Sequence, residues 1–175
     1  LFTPADPDLG WHLKYGQSFF ETGNILRDNT FSALMPHYKW NNSSWATDLI
    51  SYQTFNSFGF LGLSVLGALV IVFTFFFIGK AAKLTIFEKS IIFPIVLYFV
   101  SPVNLVSFRG QLLSLLFIAV LFYLLSKYQD GNKKISLIIL PLFLIWSNFH
   151  GQFIFGLALF FIWTVVFVTK EIYLN

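Results

Sequence analysis

From Phe58 to Ile78 the chain runs 21 residues without a charged side chain. A helix of that length crosses roughly 30 Å of hydrocarbon. Lipid admits only structures whose backbone groups are paired internally, so the stretch reads as a transmembrane helix. Four more apolar blocks follow, at 90–103, 112–125, 135–147 and 153–169. They are unbroken rather than alternating, which argues against an outer-membrane barrel. Charged residues make up 11% of the chain, against about 25% in soluble domains. A soluble domain, a disordered chain and a collagen-like chain are therefore disfavoured. The expected fold is all-α: a polytopic transmembrane helical bundle of about five spans.

Residues 1–57 are different. They are polar and mixed, and the composition shifts near Ser57-Phe58-Gly59. The chain thus divides into a loop region, 1–57, and a membrane region, 58–175. In the loop region Asp6 suits a helix cap, Pro7 the first helical position and Asp8 the positive end of the helix dipole. Trp11, Tyr15 and Phe19 recur every four residues, and Thr22-Gly23 is a natural stop. A second short helix fits Ser44 to about Asn56, with Trp45, Leu49 and Tyr52 on one side. Both helices are too short and polar to span, and their aromatics suit the headgroup level. Residues 24–43 are expected as loop. The first residue is Leu1, with no signal region after it, so the chain reads as part of a longer protein with an earlier span.

The lysines give an orientation. Lys80, Lys83, Lys89, Lys127, Lys133, Lys134 and Lys170 lie in turns after the first, third and fifth blocks, with only Glu88, Asp130 and Glu171 against them. The opposite side holds Lys14, Arg27, Lys39 and Arg109 against Asp6, Asp8, Glu21, Asp28 and Asp48. Cytoplasmic loops carry the lysine excess. Residues 1–57 and the turns at 104–111 and 148–152 are then expected to be extracytoplasmic.

Two blocks are short for a straight crossing. One ends at Asn148-Phe149-His150-Gly151 and the other at Ser101-Pro102, before Arg109. Polar backbone at membrane depth survives only in a wet cavity or buried in protein, and an arginine there marks a site. An outward polar cavity holding Arg109, Asn148 and His150, roofed by 1–57, is expected. Residues 148–151 should form a non-helical turn, with Gly151 supplying an unusual backbone angle. Asp8 and His12 lie four apart and share a helix face. Asp28 and Asp48 read as solvated charges, and Phe75-Phe76-Phe77 as lipid-facing filler. Asn41-Asn42-Ser43-Ser44 holds two overlapping glycosylation patterns, relevant only in an ER lumen. There is no cysteine, no phosphate-binding glycine loop and no zinc helix motif. Basic residues are not interleaved with aromatics on one face, which disfavours nucleic acid.

Several segments, in order, resemble a family: Asp6-Pro7-Asp8-Leu9-Gly10-Trp11-His12-Leu13, Glu21-Thr22-Gly23, Asp28-Asn29-Thr30-Phe31-Ser32, Trp40 and Trp45, Phe108-Arg109-Gly110-Gln111-Leu112, and Trp146-Ser147-Asn148-Phe149-His150-Gly151. This order resembles the first half of polytopic glycosyltransferases of the GT-C fold, closest to a prokaryotic branch. The resemblance implies a polyprenyl-phosphate or polyprenyl-diphosphate sugar donor. It implies an acidic residue, Asp8 or Asp6, as general base on the acceptor hydroxyl. Substrate-binding positions would be His12, Arg109, Gln111, Asn148 and His150. In some members the acidic residue helps to hold a divalent metal, Mg or Mn. Here Ser43-Ser44 stands where relatives often have His-Glu, so a second carboxylate is missing. Arg109-Gly110-Gln111 replaces Arg-Pro-Gln, and Gly10 replaces one tryptophan.

The residues fit such chemistry on their own terms. An arginine fork suits a phosphate. A carboxylate taking a hydroxyl proton is general-base catalysis, worth about 10²–10⁴-fold. The alternative is a non-enzymatic protein: a transporter or flippase with the same residues along its path, or a lipid-binding assembly subunit.

Overall fold

Apolar periodicity and helix-ending residues set six helices in the described part of the chain. They are α1 Leu9–Thr22, α2 Trp45–Ala81, α3 Ile86–Asn104, α4 Gly110–Gln129, α5 Ser136–Phe149 and α6 Phe153–Leu174. The computed structural model describes residues 8–28, 31, 34, 35, 38, 39, 41–104 and 108–174, with backbone alone at 100–104 and 174. Among these residues the only β pairing is an isolated antiparallel bridge, Asp28–Lys39. The all-α class expected from sequence is the observed one.

Three helices, α2, α4 and α6, are long and apolar enough to cross a bilayer. The five expected blocks are all helical, but not all are spans of that kind. The α5 helix has 14 residues, about 21 Å at 1.5 Å per residue. The α3 helix has 19 residues and carries Glu88 in its first turn. It continues through Pro94 and Pro102 to Asn104, so it is longer than the block that suggested it. Large apolar side chains on α2, α3 and α6 face outward, Phe58, Val72, Phe99 and Phe161 among them. Water would not tolerate so extensive an apolar surface; lipid does.

The interior is built on α4. Its first half packs Leu112 and Leu113 against Leu9 of α1 and Leu63 and Val70 of α2. Its second half packs Leu121, Leu124 and Leu125 against Ile139, Leu142, Phe143 and Trp146 of α5. Trp146 is fully buried and stacks on Phe117 at 5.5 Å and Phe143 at 5.8 Å between ring centres. The phenylalanine run corrects the sequence reading. Phe75 stacks on Phe93 at 4.7 Å and Phe77 meets Tyr123 at 5.6 Å, so these two rings pack between helices.

The compositional boundary at Ser57-Phe58-Gly59 is a break in α2. Gly59 has φ 60° and ψ −152°, a region only glycine enters readily. The second interface helix and the first span are therefore consecutive parts of one element. The start of α1 also differs from expectation. Asp8 occupies the N-cap position, two residues later than Asp6, and its side chain makes no capping hydrogen bond. Asp6 and Pro7 lie outside the described residues. The expected stop holds: Gly23 has φ 71° and its N–H reaches the Phe19 carbonyl at 2.7 Å.

The two ends of the bundle are distinct. At one, the Lys83 ammonium donates to Asp130 Oδ1 at 2.6 Å, tying the α2–α3 turn to the α4–α5 turn. Lys133 lies over the Tyr128 ring at 4.1 Å and near Phe167 of α6. At the other end, Thr47 Oγ1 donates to the Phe149 carbonyl at 2.6 Å, and the Trp45 indole N–H donates to Asn148 Oδ1 at 2.9 Å. The start of α2 is thereby fastened to the end of α5.

Candidate functional site

A cavity of about 450 Å³ opens at this second end. Asp8, Trp11, His12 and Tyr15 line it from α1, Asn42, Ser43 and Ser44 from the preceding loop, and Asp48 from α2. Gln111 of α4 and His150 of the α5–α6 turn complete it. Asp8, His12 and Tyr15 fall on one face because residues three and four apart on a helix are neighbours.

Asp48 is the centre of the polar arrangement. It was read from sequence as a solvated charge, yet only 2% of it is exposed. A carboxylate so buried must be paired, because removing it from water is expensive. His12 Nδ1 lies 2.5 Å from Asp48 Oδ1, and the Asn42 amide donates to Asp48 Oδ2 at 2.5 Å. This bond needs one proton, and with the carboxylate as acceptor that proton is on His12 Nδ1. Asn42 is fixed in turn, its Oδ1 accepting from the Ser44 N–H at 2.9 Å. Close approach of the helices makes the pair possible. A Cβ at Gly16 would collide with the Asp48 carbonyl oxygen and the Tyr52 Cβ. Burial, and next the Asp48 charge, push the Tyr15 phenol above its ordinary value.

His150 belongs to a second chain of bonds. The Trp146 indole N–H donates to Ser114 Oγ at 3.0 Å, and Ser114 Oγ lies 2.9 Å from His150 Nδ1. Burial, then the proximity of His12, hold the His150 imidazole below the ordinary histidine range, with a bond to Gln152 opposing them. A neutral His150 accepts the Ser114 proton at Nδ1 and carries its own on Nε2.

Of the residues singled out in sequence, Asp8, His12, Gln111 and His150 meet on this cavity. Arg109 and Asn148 do not line it. Arg109 is half-buried at the N-cap position of α4, with extended backbone, one residue before Gly110 and two before Gln111. Asn148 is held elsewhere: besides accepting from Trp45, its amide donates to the Leu144 carbonyl at 2.7 Å. The expected turn is shorter than 148–151. Asn148 and Phe149 close α5, and His150 is the first extended residue, with φ −165° and ψ 140°. Gly151 has no positive φ. Its missing side chain instead leaves room for Ser43, whose Oγ would lie 3.2 Å from a Cβ there.

No three His, Asp or Glu side chains among the described residues are grouped to hold an ion. Both Asp48 oxygens already accept hydrogen bonds. No family model matches the chain, and no curated protein or solved structure matches it.

Proposed function

We propose that the protein is a membrane glycosyltransferase that moves a sugar from a polyprenyl-phosphate or polyprenyl-diphosphate donor to an acceptor hydroxyl. The observation that carries this reading is the meeting of Asp8, His12, Gln111 and His150 on one cavity at an end of an apolar bundle. A polyprenyl donor needs hydrocarbon for its tail and a polar chamber beside it for sugar and acceptor. The outward apolar surface of α2 and α3 offers the first, and the 450 Å³ cavity the second. In this reading Asp8 engages the acceptor hydroxyl. Arg109, at the amino end of α4, holds the donor phosphate, where the helix dipole adds to its charge. The cavity faces the extracytoplasmic side, and the lysine-rich turns face the cytoplasm.

The test is sugar transfer by the whole protein in lipid, comparing Asp8→Asn and Arg109→Ala with the parent. Loss of an interaction made only in the transition state lowers turnover and leaves donor affinity alone. Asp8→Asn should therefore reduce kcat by about tenfold or more with an unchanged donor KM. Arg109→Ala should raise donor KM and lower kcat together. A near-parental rate for folded Asp8→Asn would remove the carboxylate from the chemistry.

A further inference from the structure

We propose that His12 is the proton acceptor of the cavity and that Asp48 is the residue that positions it. The pair joins two helices, with 36 residues between its members. Asp48 is buried at 2% exposure, whereas the His12 side chain retains 28% and lines the cavity. That is the arrangement of a base with a hidden orienting acid. Asp48 fixes which imidazole nitrogen carries the resting proton. With Nδ1–H given to Asp48, Nε2 is the basic nitrogen of the ring. Asn42, on the other carboxylate oxygen, keeps Asp48 from rotating away.

The substrate in this inference rests on the sugar-transfer reading. The acceptor O–H bond breaks and its proton passes to His12 Nε2. The acceptor oxygen forms a bond to the anomeric carbon as the bond from that carbon to the phosphate oxygen breaks. The electron pair of the broken bond leaves with the polyprenyl phosphate. His12 becomes an imidazolium, and Asp48 stabilises it without taking a proton itself. Asp8 then orients the acceptor hydroxyl instead of deprotonating it. His150 does not do the same work: with its Nδ1 accepting from Ser114, its Nε2 carries the proton and has no lone pair to offer. Among the described residues, the ionisable groups lining the cavity around His12 are Asp8 and Tyr15 on its own helix, Asp48 on α2 and His150 on the α5–α6 turn.

Two measurements decide the matter. The first needs no substrate: nitrogen NMR of ¹⁵N-histidine in the whole protein in nanodiscs, with His12 assigned through His12→Gln. The resting His12 should be the Nδ1–H tautomer and should take up its second proton at Nε2. Asp48→Asn should mix the tautomers. An Nε2–H resting form, or mixed tautomers in the parent, would overturn the positioning role. The second is the pH profile of sugar transfer. His12→Gln should lower kcat about 100-fold or more with little change in donor KM. Asp48→Asn should lower kcat less and move the acidic limb to lower pH, since a lost anion weakens proton uptake by its neighbour. If His12→Gln retains activity within twofold while Asp8→Asn is inactive, Asp8 is the base and the inference fails, but sugar transfer stands. If the parent transfers no sugar from any polyprenyl donor, the sugar-transfer reading fails. The tautomer result then still decides between His12–Asp48 and no such pair.

Discussion

Asp48 and His150 show how a single residue's environment overrides its usual behaviour. His150 makes a prediction with a definite sign. Its native imidazole is held below the ordinary value of 6.5, first by burial and then by His12. As pH falls through that ordinary value, the unfolded chain takes up a proton that the native state refuses. Stability therefore falls with acid, and above that range His150 contributes nothing to the slope. Thermal unfolding in nanodiscs should show a lower Tm at about pH 5.5 than at about pH 7.5. His150→Asn, which keeps an acceptor for Ser114, should reduce that drop. An equal drop in the variant would refute the assignment. Sequence carried part of this site. Asp8 and His12 at four-residue spacing were legible as one face. Asp48 was not, although it sits three residues after Trp45 and four before Tyr52, on the stripe that reads as apolar. A carboxylate on an apolar stripe requires a partner, and that requirement was the available signal. Its partners lie on α1 and in the preceding loop, so spacing alone could not name them.

Elements depend on where the chain can bend. Two glycines with equally open surroundings should respond oppositely to alanine. A Cβ at either Gly10 or Gly59 meets nothing within 4 Å. Gly10 lies inside α1, so alanine there should stabilise by about 0.4–1 kcal/mol, through loss of unfolded-state freedom. Gly59 sits at φ 60° and ψ −152°, so alanine there should cost about 1–3 kcal/mol. Denaturant or thermal unfolding of the two variants measures the pair, and the same sign for both would contradict the local geometry. Helix existence was legible throughout, because each apolar block is long enough to specify one. Junctions were less so. The break at Gly59 falls on the compositional shift, but composition cannot say that helix resumes at once on both sides. Asn148 and Phe149 read as turn residues because Asn and His favour turns. The Asn148 amide donating to the Leu144 carbonyl, and the Trp45 indole donating to Asn148, keep them in the helix.

At the scale of the whole molecule the charges are sorted by end. The Lys83–Asp130 bond and the stacking of Lys133 on Tyr128 and Phe167 gather lysine-bearing turns of four helices at the end of the bundle away from the cavity. Sorting of this kind is what the insertion machinery reads, since lysine-rich short loops remain cytoplasmic. In the proposed orientation the cavity end, with Asp8, Asp48, His12 and His150, faces outward, where a lipid-linked donor and an extracellular acceptor would meet. The chain has no cysteine, so none of its own residues competes with a single introduced thiol. Asn41 and Lys134 are both exposed and lie at opposite ends of the fold. Asn41→Cys should react with a membrane-impermeant maleimide added to intact cells. Lys134→Cys should react only after the membrane is opened. The reverse pattern would invert the protein and put the cavity on the cytoplasmic side. Labelling of both thiols in intact cells would break the link between lysine sorting and the membrane altogether. The outcome also constrains the chemistry, because only an outward cavity can draw on donors whose sugars have already crossed the bilayer.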